Sequence, residues 1–306
     1  MATVYTHIRA NKIKSILMVF LTIVFALGIG VIFAYAADYG PSAIILAAVI
    51  GIPGALIGYY GSDNIALAVN RAKPLTLENN RELYHIVENI AITAGLPTPK
   101  IYTINDPSPN AFATGREPRK ASIAMTTGLI EQLNRQELEG VIAHELAHIG
   151  DYDTRYMTVV AVLVGFVVLV SEFFMRFSLF GGGRRGNNRD NSGQILIIIG
   201  LVAAIVAPIF AQLMRLAISR KRESLADAKG AEITRQPEKL ADALIKISKD
   251  PNKPRFVNAA TSHLYFSDVS KKKGTSFLTR ISSSHPPVEE RVKKLYQMAG
   301  LRQPTQ

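Results

Sequence analysis

The sequence predicts a multi-pass α-helical membrane protein, with four transmembrane helices and polar segments of α+β structure. The 306-residue chain is 48% hydrophobic and only 19% charged, whereas an average soluble domain contains roughly 25% charged residues. The hydrophobic residues concentrate in four runs, which cover residues 16–37, 42–62, 157–175 and 191–214. A helix of about 20 apolar residues crosses a hydrocarbon core of about 30 Å. Each run is therefore predicted to span a membrane.

The runs divide the chain into four parts. Residues 1–66 are predicted to form an N-terminal transmembrane hairpin, and residues 157–216 a second hairpin with a basic, glycine-rich loop. The polar residues lie mainly in segments 67–156 and 217–306. Any chemistry of the protein is expected in these two polar segments.

Basic residues near the ends of the runs predict the orientation of the chain. Arg9, Lys12 and Lys14 precede the first run, and the turn at 38–41 contains no basic residue. Because loops rich in Lys and Arg stay in the cytosol, the N-terminus, the C-terminus and both polar segments are predicted to be cytosolic. Several arginines between the third and fourth runs favour the cytosolic side for that loop as well, so whether the second hairpin crosses completely is left open.

Composition limits the chemistry available to the chain. The sequence contains no cysteine, which excludes a disulfide scaffold, a thiol nucleophile and a cysteine-ligated metal. A metal would have to be held by histidine and carboxylate side chains. The net charge of +11 suits a lipid bilayer with anionic headgroups, and no nucleic-acid partner is predicted because no groove-reading motif accompanies the charge.

The first polar segment shows a helix followed by strands. Residues 78–94 have the apolar spacing of an amphipathic helix, which Gly95 and Pro97 close. Residues 100–104 and 121–125 are predicted as short strands, separated by a connection rich in Pro, Gly and Asn. This segment is therefore expected to mix α and β structure.

The next predicted helix carries a metal-binding motif. It begins with Asn134 as N-cap and Glu137 as the return partner of a capping box, and it runs through His144-Glu145-Leu-Ala-His148 towards the third run. Histidines four residues apart project from one face of a helix, so both imidazoles can bind one Zn²⁺ while Glu145 lies beside the open coordination position. The motif predicts one zinc ion per chain.

A catalytic zinc with two histidine ligands needs a third protein ligand. Glu223 offers a carboxylate, and Asp227, one helical turn later, can accept a hydrogen bond from a ligand histidine. Glu223 follows the fourth run by as many residues as His148 precedes the third. If both helices continue unbroken from the membrane, the two side chains reach the same height on neighbouring helices. The second hairpin is therefore predicted to assemble the site.

Four motifs occur in an order typical of a known family. They are His-Glu-Leu-Ala-His at 144–148, Ser-Arg-Lys-Arg-Glu-Ser-Leu-Ala-Asp at 219–227, Asn-Ala-Phe-Ala-Thr-Gly at 110–115 and His-Pro-Pro-Val-Glu-Glu-Arg at 285–291. In these motifs and in its four hydrophobic segments, the chain resembles the HtpX-type membrane zinc metalloproteases, relatives of the CAAX prenyl endoproteases.

The resemblance implies a fold, an activity and a location. It implies an α+β zincin-type (gluzincin) protease domain and a zinc endopeptidase of the bacterial inner membrane with a cytosolic active site. Its substrates would be misfolded or damaged polypeptides, above all membrane proteins, cleared in proteolytic quality control under stress. The chain carries no P-loop motif, so any dependence on ATP would come from a partner such as an ATP-dependent membrane protease.

The resemblance also implies the roles of individual residues. His144, His148 and Glu223 match the zinc ligands of the family. Glu145 matches its general base, which takes a proton from the attacking water and passes it to the leaving amine. Asp227 matches a carboxylate beside the ligands. Loss of Glu145 should abolish turnover with the metal still bound, whereas loss of a ligand should release the metal.

Other residues keep alternative interpretations. Asp153 is the best match for an acid that follows the second histidine in the family. His285 either stabilises a developing oxyanion or begins the last helix, and Arg291 either contacts the substrate or packs on an acidic neighbour. By resemblance, Asn110 is expected to line a substrate channel, and strand 121–125 to pair with extended substrate as an edge strand.

Two other functions compete with a broad endopeptidase. A prenyl-type CAAX endoprotease would cut a C-terminal tripeptide from lipidated substrates, but a shorter chain with four predicted spans argues against it. A transporter or non-enzymatic membrane scaffold would need polar groups at mid-membrane. The runs contain one acidic residue, Glu172, near an end of the third. The sequence therefore favours the endopeptidase.

Overall fold

The computed structural model describes residues 4–36, 41–160, 162, 220–252, 266 and 287–301. Within these ranges the helices are α1 (Val4–Ala36), α2 (Pro41–Tyr60), α3 (Ser62–Val69), α4 (Arg81–Thr93), α5 (Thr127–Gln132), α6 (Arg135–Gly150), α7 (residues 153–160), α8 (Arg220–Thr234), α9 (Pro237–Lys249) and α10 (Val288–Met298). The strands are β1 (Lys73–Pro74), β2 (Lys100–Ile104), β3 (Ala111–Thr114) and β4 (Ser122–Thr126).

The first two apolar runs form the helical pair α1 and α2, which contact each other. Across the part of the chain that the structure describes, no helix has the combination of length and apolar character that membrane crossing requires. Most of the third run, the glycine-rich loop and the whole fourth run lie outside the described residues. The four transmembrane helices therefore stay a prediction.

The strands form one sheet in the order β1-β2-β4-β3. β4 pairs in parallel with β2, with Ile123 opposite Ile101, and antiparallel with β3, with Ala124 opposite Phe112. The prediction of 121–125 as an edge strand is wrong, because β4 lies inside the sheet with all its residues buried. Within the described sheet the outer positions belong to β1 and to β3, which lies in the connection between the two predicted strands.

Helix α4 and the sheet enclose the helix that carries the metal motif. Asn80 caps α4 and accepts a hydrogen bond from the Leu83 amide at 3.0 Å, so the helix predicted over 78–94 begins slightly later. Val87 of α4, Ile123 of β4 and Leu146 of α6 belong to one apolar core. Along most of its length α6 is buried in this core, which removes its side chains from water.

Helix α6 does not continue into α7. The predicted helix from Asn134 through His148 is present, but the condition that it continues unbroken into the third run is not met, since α6 ends at Gly150 and a turn precedes α7. Tyr152 in this turn has a φ of 58°, in the left-handed region that a helix cannot include. The chain therefore changes conformation between the metal motif and the third apolar run.

Candidate metal centre

The start of α6 fixes the position of the motif along the helix. The predicted capping box is present: the Asn134 side chain accepts from the Glu137 amide at 3.0 Å, and the Glu137 carboxylate accepts from the Asn134 amide at 3.0 Å. Lys246 of α9 also donates to Glu137 at 2.7 Å. The first turn of α6 is thus tied both to its own cap and to a neighbouring helix.

Helix α8 brings two carboxylates against α6. It carries Glu223 and Asp227, both buried, and Gly230 one turn later lies against the α6 backbone. A Cβ atom at Gly230 would lie only 3.1 Å from the backbone nitrogen of His144. Because glycine has no side chain, the two helices approach closely beside the first histidine.

Three side chains from α6 and α8 converge on one point. The Nε2 atoms of His144 and His148 lie 3.2 Å apart. The Glu223 carboxylate lies 3.8 Å from Nε2 of His144 and 3.5 Å from Nε2 of His148. Ligand atoms of all three residues fall within 4.8 Å of one another. The predicted convergence of Glu223 on the histidines is therefore observed.

This arrangement fits a zinc ion. Zinc binds histidine nitrogen and carboxylate oxygen at about 2.0–2.2 Å in a tetrahedral site, which separates ligand atoms by about 3.4 Å. The distances among His144, His148 and Glu223 lie close to that value. Two histidines and one carboxylate leave a fourth position open, the donor set of catalytic rather than structural zinc.

Two residues lie behind His144. Asp227 Oδ1 is 3.0 Å from its Nδ1, at hydrogen-bond distance although out of line with the N–H bond. Arg291 of α10 holds Asp227 with two hydrogen bonds, from Nε at 2.8 Å and from Nη2 at 2.7 Å. Burial raises the pKa of Asp227, but the charges and hydrogen bonds of Arg291 and His144 together outweigh burial and lower that pKa well below its usual value. Asp227 thus remains a carboxylate beside the ligand.

His148 is supported by other elements. Its Nδ1 lies 3.1 Å from Asp153 Oδ2, within hydrogen-bond distance. The other oxygen of Asp153 accepts a hydrogen bond from Asn11 Nδ2 of α1 at 2.8 Å and lies 3.7 Å from Arg222 Nη1 of α8. The acid identified as Asp153 from the sequence is thus beside the second ligand.

The two histidines differ in proton affinity. Burial is the largest influence on His144 and lowers its pKa to about 4 despite Asp227. Burial also lowers the pKa of His148, but the hydrogen bond with Asp153 and the charge of Glu223 outweigh burial and raise the pKa to about 9. Before a metal binds, His144 is therefore neutral at pH 7 and His148 carries a proton.

Phe266 closes the His144 side of the site. Its ring meets the His144 ring edge to face at 4.9 Å between centroids, and the Arg291 guanidinium lies 4.9 Å from its ring centroid. Its amide donates to the Ala111 carbonyl of β3 at 2.8 Å. Sequence reasoning missed Phe266, because a single aromatic residue far from the motif carries no periodic signal.

The remaining predicted site residues lie in different surroundings. Glu145 is buried on α6 between the two histidines. Arg291 packs on the acidic Asp227, and its Nη1 lies 3.8 Å from Glu223. Asn110 is buried at the start of β3, and its side-chain oxygen accepts from the Ala111 amide at 3.0 Å. His285 lies outside the described residues. Substrate or oxyanion contacts by Asn110, Arg291 and His285 stay predictions.

Comparison with known proteins places the chain in a family. Residues 77–299 match Peptidase family M48. The chain is 43% identical over 295 residues to "Protease HtpX homolog" of Caldanaerobacter subterraneus subsp. tengcongensis, an alignment that covers 96% of this chain and 97% of the relative. It is 39% identical over 301 residues to "Protease HtpX homolog" of Streptococcus uberis, with 96% and 99% covered.

A solved structure has a similar fold. The crystal structure of S. mikatae Ste24p matches with a TM-score of 0.52 and 20% identity, over 91% of this chain and 65% of that chain. At this identity the likeness concerns the fold alone. The extended sequence matches confirm the resemblance to HtpX-type metalloproteases, and the histidine–carboxylate site fits the zinc that these enzymes use. The chain is therefore a zinc metalloprotease that belongs to peptidase family M48.

Proposed function

We propose that this metalloprotease is a membrane-embedded endopeptidase that cleaves misfolded or damaged membrane and cytosolic proteins in quality control. The observation that carries the catalytic part is the convergence of His144, His148 and Glu223, with the buried Glu145 next to His144 in the sequence of α6. Polypeptide substrates follow from the family. The preference for damaged proteins, and cooperation with an ATP-dependent membrane protease, come from the resemblance to HtpX-type enzymes.

Each residue of the site has a distinct task. His144, His148 and Glu223 would hold the metal, which when bound would supply a Lewis acid for the scissile carbonyl and for ionisation of water. Glu145 accepts the proton of the attacking water and transfers it to the leaving amine. Asp227 and Asp153 lie behind the histidines, at Nδ1, and so direct both Nε2 atoms towards Glu223.

The role of Glu145 can be separated from metal binding. In purified full-length protein in detergent, Glu145→Gln should keep the zinc content of wild type and lose casein hydrolysis, because the amide cannot accept the proton. Glu139→Gln is the matched control, since Glu139 lies on the same helix and pairs with Arg135 at 3.0 Å in a partly exposed ion pair. Zinc is measured by atomic absorption and hydrolysis by release of labelled peptides.

Either of two results would contradict this assignment. Hydrolysis at the wild-type rate in the Glu145→Gln protein would remove Glu145 from the reaction. A wild-type protein without stoichiometric zinc would remove the metal itself and favour a scaffold.

The proposed membrane position rests on the sequence. Four apolar runs and the basic residues before the first run support a multi-pass inner-membrane protein whose active site is cytosolic. Since the chain has no cysteine, single cysteines can report the side of the membrane. Asp38→Cys should react with an impermeant maleimide in cells whose outer membrane alone is permeable, whereas Lys249→Cys should react only after the inner membrane is opened. Labelling of both positions in intact spheroplasts would overturn this orientation.

A prenyl-type CAAX activity has no specific observation in its favour. The likeness to Ste24p shows the fold alone at 20% identity. Parallel assays with casein and with a farnesylated C-terminal peptide distinguish the two activities, and we expect cleavage of casein.

A further inference from the structure

The first helix reaches the turn that follows the metal motif. Asn11 of α1 is buried, and its Nδ2 donates to Asp153 Oδ1 at 2.8 Å and lies 3.3 Å from the Asp151 carbonyl oxygen, which also accepts from it. These contacts join residues that are far apart in sequence. A side chain from the predicted membrane hairpin therefore touches the turn between α6 and α7.

The same aspartate contacts a zinc ligand. Asp153 Oδ2 lies 3.1 Å from Nδ1 of His148, and Nε2 on the opposite side of that ring is a ligand atom, 3.5 Å from Glu223. Each oxygen of Asp153 thus has a different role, one held by α1 and the other facing the histidine. A rotation of the carboxylate would disturb both contacts together.

Within the described part of the chain, no second donor lies within hydrogen-bond distance of Asp153 Oδ1. Among the described residues, Arg222 Nη1 is also near this oxygen, but its distance of 3.7 Å exceeds that of a hydrogen bond. Asn11, Asp153 and His148 are all buried, so water does not readily substitute for a lost donor. A buried acceptor without its donor is costly, and the carboxylate would move to recover one.

The turn is also tied to the helix that carries the third ligand. Lys229 of α8 donates to the Asp151 carboxylate, while Asn11 holds the Asp151 carbonyl. Lys12, the next residue of α1, lies 4.8 Å from the centroid of the Tyr152 ring. Helix α1 therefore contacts both residues of the turn, Asp151 and Tyr152, and Asp153, the first residue of α7.

We propose that Asn11 is a positioning residue of the metal centre, which orients His148 through Asp153 and makes helix α1 part of the zinc site. The inference rests on zinc binding by His144, His148 and Glu223 and is independent of the substrates proposed above. Groups that orient a ligand histidine typically change metal affinity by about 10–100-fold when removed. Asn11 should affect retention of zinc, although it does not touch the ion.

The test measures the rate at which full-length protein in detergent loses zinc to a chromogenic chelator. Asn11→Ala should lose zinc about 10-fold faster than wild type. The matched control is Thr22→Val: Thr22 is a buried polar residue of the same helix whose hydroxyl donates only within α1, to the Met18 carbonyl at 2.9 Å. Its zinc loss should equal that of wild type.

A double-mutant cycle tests the route through Asp153. If Asn11 acts by holding Asp153, then Asn11→Ala combined with Asp153→Asn should lose zinc about as fast as Asp153→Asn alone, because the two residues act in series. If the two effects multiply, Asn11 acts by another route and the proposal is overturned. Equal zinc loss in Asn11→Ala and Thr22→Val would overturn it as well.

A purely structural role of Asn11 gives a different result. It would lower the melting temperature of the metal-free and the zinc-bound protein alike and leave the increase on zinc addition unchanged, whereas the proposal requires that increase to shrink. If Asn11→Ala does not fold, Asn11→Ser, which keeps a donor too short to reach Asp153, replaces it with the same expected outcomes. A wild-type protein that binds no zinc would instead overturn the metal centre itself.

Discussion

The two ligand histidines lie on one helix, four residues apart, yet their supports come from different parts of the chain. Asp227 and Arg291, behind His144, belong to the C-terminal polar segment. Asp153 and Asn11, behind His148, belong to the start of α7 and to the first helix. The motif specifies that both residues can bind a metal, whereas their supports decide which one holds a proton before the metal arrives.

The difference in proton affinity has an electrostatic cause. Near His144, burial dominates and the charges of His148 and Arg291 act in the same direction, so the pKa falls to about 4 despite Asp227. Near His148, the carboxylates of Asp153 and Glu223 prevail over burial and the pKa rises to about 9. The balance between burial and nearby carboxylates thus distinguishes the two ligands.

Of the changes considered, removal of Arg291 should lower the free energy of unfolding most. Arg291→Met leaves the Asp227 carboxylate buried without its two hydrogen bonds, and the loss of one partner of a buried ion pair costs about 3–5 kcal/mol. Urea unfolding of the metal-free protein measures the loss. Lys294→Met is the control on the same helix, since Lys294 is exposed and, among the described residues, donates only to Ser224 at 3.3 Å.

A second variant separates buried charge from lost packing. Adding Asp227→Asn to Arg291→Met removes the unpaired charge, so part of the stability should return. A loss below about 1 kcal/mol in Arg291→Met, within the range of surface pairs, would show that Asp227 does not depend on Arg291.

The pH dependence of the free energy of unfolding should show the titrations of the two histidines in separate pH ranges. In metal-free protein, the folded pKa of His144 is about 4, below the unfolded value of about 6.5, so stability falls as pH drops from about 6.5 towards 4. The folded pKa of His148 is about 9, so the stability it contributes below pH 6.5 is lost as pH rises towards 9. Each slope approaches about 1.4 kcal/mol per pH unit.

Urea midpoints measured in the presence of a chelator between pH 4 and 10 test this profile. Asp153→Asn should flatten the alkaline side, since His148 loses the carboxylate that raises its pKa, and leave the acid side unchanged. If Asp153→Asn flattens the acid and the alkaline side of the profile equally, the two histidines titrate as one group.

The ligand set follows from short-range regularities in the sequence. Residues four apart on a helix share a face, which places His144 beside His148 and, on α8, Glu223 beside Asp227. The capping box of Asn134 and Glu137 is likewise a local pattern, and it occurs as predicted. The family motifs then indicated which two helices belong together.

The supports could not be predicted in the same way. Asn11 contacts Asp153 and Phe266 contacts His144 across large separations in sequence, and neither contact leaves a local pattern. The break after Gly150 falls on Tyr152, a residue that seldom adopts a positive φ. Strand order was also beyond the sequence, because the four residues of β3 are too few to show an alternation, and without β3 the strand β4 resembled an edge.

The close approach of α8 to α6 at Gly230 depends on the absence of a Cβ atom at that residue. Helices α6 and α8 meet there at the His144 amide, without intervening side chains. The interhelical spacing beside His144 is therefore set by main chain against main chain rather than by apolar side chains. The methyl group of an alanine at position 230 would push α8 away from α6 and so increase the distance between Glu223 and the two histidines.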